Sequence, residues 1–436
     1  MKPPRDDQAF LPADPGPRPV AAGRRSPLRE RDFRLLWSGQ AISAVGDRIY
    51  PVAIALKVLE GGGSATDLGL VLGAFEVAFV VFLLVGGVVA DRVRRTRVMI
   101  AADLVRALAV VGLALVPGSL PVWGLAVLSF VVGSGSAFFI PANSALIPSV
   151  LGPEQLQAGN ALNSGALHVA AILGPAAAGA MIAVTGVRGA FLIDAATFGV
   201  SMLTLLLIAE PARVRGRRSS AVRDALEGLR AVRDRPWVLA VLVMATLHLM
   251  FAVAPVFVLL PVIARARLGG NSAYSLMLVL FGVGALVGTL VAARWRPRRP
   301  GLVALLGLLP WTGVMLALAD PFARWWVGAW YLVGGFGVEL FTIMWVTALQ
   351  RDVPAELLAR VTSLDYLVSL ALMPVGYALA GPAADAFGPA AVLWVGAGVL
   401  VVSTLAILPV PGVTRFATPP RPIPAAVPVR GQVRRR

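Results

Sequence analysis

GGVVADRVRRTRVM, residues 86–99, sets one acid, Asp91, among four arginines between two long apolar runs. On the upstream side residues 68–90 carry a single charge, Glu76; downstream, residues 98–116 carry only Asp103 and Arg106. Runs of about 20 mostly apolar residues are what a helix needs to cross a bilayer. Outward from this stretch, such runs centre near residues 47, 79, 107, 134, 171, 199, 249, 282, 310, 337, 369 and 399. The runs are continuous rather than alternating, which excludes a transmembrane barrel. The expectation is an all-α polytopic membrane protein of twelve transmembrane helices.

Composition agrees. Of 436 residues, 58% are hydrophobic and 14% charged, with a mean hydropathy of +0.79. A water-soluble chain of this length needs more polar surface than that. The absence of cysteine excludes disulfides and thiolate metal sites, and two histidines without an acidic cluster give no metal centre. No nucleophile–base pair or phosphate-binding loop is visible, so neither an enzyme nor ATP hydrolysis is expected, and no cofactor.

The net charge of +16 is explained by placement. Of 39 basic side chains, 32 fall in segments that share one face if the helices alternate, and four (Arg188, Arg265, Arg267, Arg324) fall on the other. That asymmetry orients both termini to the cytoplasm and favours anionic lipid there, rather than nucleic acid. The arginine-dominated, Ala- and Gly-rich composition fits a high-G+C bacterium, hence a bacterial cytoplasmic (inner) membrane. Residues 1–32 read as a disordered tail, with no apolar segment and cleavage site of a signal peptide. Residues 411–436 read as a second, basic tail.

The chain repeats itself. GGVVADRVR (86–94) aligns with GTLVAARWR (288–296) at an offset of 202, and PEQLQ (153–157) with PAELL (354–358) at 201. Duplication of a six-helix unit follows, giving bundles at 33–209 and 237–410. Between them, 210–236 is a polar linker in which Val222, Ala225, Leu226, Leu229 and Val232 fall at the spacing of an amphipathic surface helix stopped by Pro236.

Two parallel six-helix halves are the plan of the major facilitator fold, and the opening stretch resembles that superfamily's motif between the second and third helices. Gly87, Asp91, Arg92 and Arg95 match it, while Arg94 stands at the later glycine and Ala293 replaces the acid in the second copy. GPAAAG in helix five, with Gly174, Pro175 and Gly179, resembles the antiporter motif of exporters in part. FFIPANSALIPSVLGPEQLQAGNAL (138–162), FLIDAATF (191–198) and EGLRAVRDRPW (227–237) are similar to the bacterial branch containing macrolide-efflux and enterobactin-exporter proteins. The resemblance covers residues 30 to about 410. It implies a substrate cavity between the halves, and it implies that the 86–97 loop latches them in the outward-facing state, Asp91 meeting Arg92 or the N-terminus of helix eleven.

Ionisable groups at membrane depth are costly and mark function by default. Asp47 and Arg48 in helix one, Glu76 in helix two, Glu339 in helix ten and Asp365 in helix eleven are the candidates for proton coupling or for lining the cavity. For Asp47 the alternative is an ion pair that fixes packing, with Arg48 or another helix. Asp103 and Arg106, three apart on one face, read as a structural pair. His168 and His248 read as core hydrogen-bonding groups, and Gly133, Gly135, Gly282, Gly284 and Gly288 as close-packing positions. SFVVGSGSAFF (129–139) lacks the basic residue that drug antiporters of the family carry in helix four. The acids outnumber the bases in the spans, which suits a cationic or neutral amphipathic cargo.

These features combine into an expectation: a secondary active exporter, proton-coupled, of drug-like or natural-product small molecules, working as a monomer by alternating access. A siderophore exporter or lysophospholipid translocator uses the same scaffold. A non-transporting membrane sensor or scaffold is the reading of another class.

Overall fold

A computed structural model describes residues 26–116, 120–152, 154–210 and 229–417. The first 25 residues, most of the linker (including Val222, Ala225 and Leu226) and the tail from residue 418 lie outside them, as do the side chains of His168 and Pro175. The described residues are helical throughout their ordered elements: α1 (Arg31–Gly46), α2 (Ile49–Glu60), α3 (Ala65–Arg92), α4 (Arg95–Leu115), α5 (Val122–Val150), α6 (Leu156–Leu206), α7 (Pro236–His248), α8 (Ala254–Arg267), α9 (Asn271–Arg294), α10 (Pro300–Leu308), α11 (Pro310–Ala319), α12 (Arg324–Asp352), α13 (Ala355–Leu370), α14 (Met373–Phe387) and α15 (Pro389–Ala406).

Among the described residues ten helical stretches are long and apolar enough to cross a membrane. The pair α1–α2 and the first part of α6, residues 156–185, complete twelve rods. Gly186, at φ 68°, turns α6 back on itself, a conformation that a side chain would strain. The outer surface is apolar: Leu84, Leu108, Leu203 and Val402 are each more than 60% exposed, as suits a hydrocarbon solvent. Trp123, Trp325 and Trp394 stand exposed near one end of their helices, where amphipathic rings meet the membrane interface.

Among the described residues four spans are built of two helices each, α1–α2, α7–α8, α10–α11 and α13–α14, and the first two of these breaks stand at equivalent positions. Span one is interrupted at Asp47–Arg48, between α1 and α2. Span seven is interrupted by a π-helical turn, Leu249–Val253, between α7 and α8. The repeat offset carries Asp47 onto Leu249. The duplication therefore preserves the break while its chemistry diverges.

The core divides in a way that fixes the conformation. One hydrophobic cluster joins both halves; it includes Ile54, Val71 and Ala178 of the first and Val258, Tyr274 and Tyr377 of the second. A second cluster, around Trp237, Leu305 and Trp345, belongs to the C-terminal half alone. A third, around Phe33, Met99 and Leu146, belongs to the N-terminal half alone. The two private clusters lie toward the ends of the helices that carry Arg92–Arg97 and Arg294–Arg299; the shared one lies toward the opposite ends. Polar ties across the halves also sit at the arginine-poor end: Thr66 donates to Asp385, Arg265 to the Leu59 carbonyl and Asn271 to Glu60 (3.4 Å). Among the described residues, then, the halves close at the arginine-poor end and part toward the arginine-rich one.

Candidate functional site

Arg106 organises the interior of the N-terminal half. Its Nη1 donates to Asp47 Oδ1 at 3.1 Å and its Nη2 to Asp103 Oδ1, while its guanidinium lies 4.3 Å from the ring centres of both Phe139 and Phe198. The side chain is 3% exposed. Gly135 makes the space, since a Cβ there would lie 2.5 Å from Arg106 Cγ. Asp103 and Arg106, expected as a structural pair, are bonded and belong to a larger cluster, and the bonded partner of Asp47 is Arg106 rather than its neighbour Arg48. Arg48 is exposed, with its stem against Gly174.

Asp47 differs from the rest of the cluster by being 43% exposed in the middle of its span. The helix break explains its reach. Backbone bonding tightens at Arg48, whose N–H donates to Val45 rather than one residue further back, and the chain turns its carboxylate toward α4 while leaving one side open. Among the described residues α2 touches α8 of the other half, whereas α1 packs mainly against α6 of its own.

A third carboxylate, Asp194 of α6, completes the group. It is 0% exposed, and among the described residues neither of its oxygens has a hydrogen-bond partner. Gly46, at the break, leaves room for it: a Cβ there would stand 2.8 Å from Asp194 Oδ1. Nearby, Gln40 donates to Ser201 at 3.0 Å, binding α1 to α6. Asp194 lies inside FLIDAATF and obeys the same rule that selects Asp47, an acid inside an apolar span, although it is not among the candidates above.

The other candidates do not join this cluster. Glu76 is half-buried on α3, one turn beyond Gly73, which packs on Tyr377 of α14. Glu339 is half-buried on α12. Asp365 of α13 accepts from Trp345 Nε1 at 3.0 Å and Ser369 Oγ at 3.3 Å, so it ties α13 to α12. His248 is buried, within 2.9 Å of Ser403 Oγ and 3.3 Å of Thr404 Oγ1.

In the 86–99 loop, Asp91 and Arg92 are exposed at the end of α3, and nothing lies within 4 Å of a Cβ built at Gly87. Gly86 is the close-packed residue, against the backbone of α5 at Ala137. The loop is anchored by a group that sequence reading missed. Glu210 accepts from the backbone N–H of Arg95 (3.1 Å) and of Thr96 (3.2 Å), and from Thr96 Oγ1 (2.8 Å), while Arg94 donates to the Glu210 carbonyl (3.0 Å). A carboxylate at a helix N-terminus satisfies orphan amides and complements the helix dipole. Burial pushes the Glu210 carboxyl up, but the bonds from Thr96 and the two amides, with the charge of Arg95, outweigh it and hold the group below its ordinary value. A lowered value in the folded state contributes stability that is present above the unfolded value and is lost as pH falls through the folded one. Glu210→Ala is expected to cost ~0.5–2 kcal/mol at neutral pH. Melting curves of wild type and variant should converge as the solution is acidified through the acid range; a gap that persists or widens there contradicts the assignment.

Gly174 and Gly179 of the helix-five motif sit at seams. The first faces Arg48, and the second faces Ser275 of α9, where the halves meet. In the C-terminal half, the place corresponding to the charged cluster is an apolar cavity of about 330 Å³, lined among others by Leu249, Phe257, Tyr274, Leu308 and Trp311. At the repeat offset of 202, Asp47 and Arg106 correspond to Leu249 and Leu308, so polar contacts in one half are replaced by open apolar space in the other. The volume is at the lower end of small-molecule pockets, ~300–1,000 Å³. Among the described residues no group of His, Asp and Glu is arranged to hold a metal ion.

Comparison with known proteins places this geometry. Macrolide efflux protein A of Streptococcus pyogenes is 26% identical over 82% of this chain and 90% of its own length. Enterobactin exporter EntS of Citrobacter koseri is 26% identical over 91% of this chain and 96% of its own. Among solved structures, the nucleoside transporter NupG aligns with a TM-score of 0.66 at 13% identity, covering 86% of this chain and 98% of that one. A bacterial homolog of the human lysosomal transporter Spinster, in an inward-facing and unoccupied conformation, aligns at 0.63 and 17% identity over 90% and 95%. These two show the shared fold. The sequence profile of the Major Facilitator Superfamily matches residues 36–376, and with twelve rods in two related halves parted at one end, the chain is a multi-pass membrane transporter that belongs to the Major Facilitator Superfamily.

Proposed function

We propose that this transporter is a proton-coupled exporter, moving amphipathic drug-like or natural-product molecules out of a bacterial cytoplasm by alternating access. The positive-inside rule assigns the arginine-rich end to the cytoplasm, so the conformer described opens inward, ready to receive cargo. The relatives named for macrolide efflux and enterobactin export support the direction. The observation that carries the coupling is the Asp47–Arg106 pair, partly exposed at a helix break inside the membrane, which this reading sets on the border of the gap.

A proton arriving at Asp47 from the outer side neutralises the carboxylate and breaks the pair, leaving Arg106 to Asp103 alone. When the proton departs to the cytoplasm, the pair re-forms. A bond present in one conformer only biases that conformer by its differential energy, about 1–3 kcal/mol. Cargo enters the same gap with its apolar part against the cavity of the C-terminal half, and a cationic part is tolerated beside Asp47, Glu76 and Glu339. The Gly87–Asp91–Arg92 loop serves in this reading as the latch that meets α13 when the cytoplasmic ends close.

Expression in efflux-deficient cells with a panel of dyes and antibiotics tests this reading. Accumulation of at least one compound is expected to fall on expression and to recover on adding a protonophore. Asp47→Asn is expected to slow that efflux by about tenfold or more, within the ~5–150-fold span of such couplings, at unchanged membrane yield. Efflux that resists the protonophore removes the proton from the mechanism.

A further inference from the structure

We propose that Asp194 is the carboxyl that holds a proton while Asp47 is paired with Arg106; the inference rests on the proton-coupled reading above and assigns the site of the proton within it. Three carboxylates, Asp47, Asp103 and Asp194, share one guanidinium. Its terminal nitrogens are committed to Asp47 and Asp103, and its faces to Phe139 and Phe198. Asp103 and Asp47 each have the Arg106 guanidinium as a bonded counter-charge, and Asp47 has an open side as well. Asp194 has neither resource: it is shut from solvent, and among the described residues no donor reaches either oxygen. An uncompensated buried anion is among the most costly groups in a fold, and a proton removes that charge without moving any atom of the backbone.

The surroundings make the proton consequential. From the α1–α2 break Asp47 faces Asp194 electrostatically, from α4 Arg106 does, and from α2 the Tyr50 hydroxyl; α5 contributes the uncharged Ser129 beside Tyr50, and Asp103 lies behind Arg106. Loss of the proton leaves an anion whose nearest cation is Arg106. The guanidinium compensates it only by giving up Asp47 or Asp103, so the protonation of a residue sealed inside the N-terminal half is tied to the ion pair on the edge of the gap. No bond other than O–H changes: the proton leaves Asp194 for Asp47 or solvent when the helix break shifts, and returns when it closes.

The test uses the purified full-length protein in lipid nanodiscs and needs no cargo. Infrared spectra at neutral pH should contain the carbonyl stretch of a protonated carboxyl group. A component of that band should appear in the wild type minus Asp194→Asn difference spectrum, which separates it from any band of Glu76, Glu339 or Asp365, and should be absent from the wild type minus Asp47→Asn spectrum. Because asparagine mimics the neutral acid, Asp194→Asn should also melt within ~2 °C of the wild type, whereas Asp103→Asn, which removes a charge bonded to Arg106, should melt lower. A wild type minus Asp194→Asn difference spectrum without that component, or an Asp194→Asn protein that unfolds or fails to insert, overturns the assignment, because either result means the native group is ionised. Protonophore-resistant dye efflux by the wild type overturns the parent reading instead and leaves the spectrum unaffected.

Discussion

Arg106→Leu is expected to destabilise the N-terminal half by about 3–5 kcal/mol, the usual cost of breaking a buried ion pair from one side. The leucine leaves Asp103 buried without its cation, Asp47 without its tie to α4, and the rings of Phe139 and Phe198 without the charge between them. Arg106→Lys does not rescue it, because one ammonium on a flexible stem cannot place two fixed donors on two carboxylates from between two rings. Neutralising the acids should. The triple variant Asp47→Asn, Asp103→Asn, Arg106→Leu removes the orphaned charges together with the cation, and should recover much of the lost melting temperature while transport remains absent. Thermal melting in detergent, with membrane yield alongside, measures both. If Arg106→Leu alone melts like the wild type, the cluster contributes nothing to the fold and the electrostatic account of this half is wrong.

That result bears on what a sequence can disclose. The spans and their two-fold repetition were legible because hydrocarbon leaves the chain one solution, a long apolar helix, and because the loop at 86–94 and its copy at 288–296 kept their glycine and arginines. The membership of the cluster was not. Spacing on one helix joined Asp103 to Arg106, but Asp47 is 59 residues from its partner and reaches it only because span one breaks where it does. The matching break at Leu249–Val253 carries no polar residue and no proline or glycine, so nothing in its sequence announced it. Asp194 could have been found by the rule that found Asp47. Glu210 could not: a lone acid at the edge of a basic linker reads as solvated, and its role depends on the amides of Arg95 and Thr96, more than 110 residues away. Conversely, Asp365 satisfies the rule for a buried acid, yet it accepts from Trp345 of the neighbouring α12, a tie between helices, and from Ser369 one turn along its own helix.

Gly381→Ala is expected to drive the transporter out of the conformer described here. Gly381 of α14 lies against the start of α3, where an added Cβ would overlap the backbone of Ala65 and Thr66; across the same seam Gly69 of α3 lies against the carbonyl of Tyr377. Overlap with backbone has no flexible side chain to absorb it, so the halves must move apart at the arginine-poor end. Overpacking of this kind costs about 1–3 kcal/mol, and the cost exists only while that end is closed. A penalty confined to one of two conformers shifts their ratio by ~5–150-fold, toward a state open at the arginine-poor end and closed at the other. The chain has no cysteine, so spin labels at Val184→Cys and Phe387→Cys, both highly exposed near the closing end, report the separation directly. The distance distribution should lengthen in Gly381→Ala and stay unchanged in Gly398→Ala, where a methyl group meets open space. Because an alternating carrier must visit both states, efflux should fall as the distance grows. A lengthened distance with undiminished efflux would mean that closure at this seam is not an obligatory step, and an unchanged distance would mean that the seam yields more easily than two helix backbones in contact can.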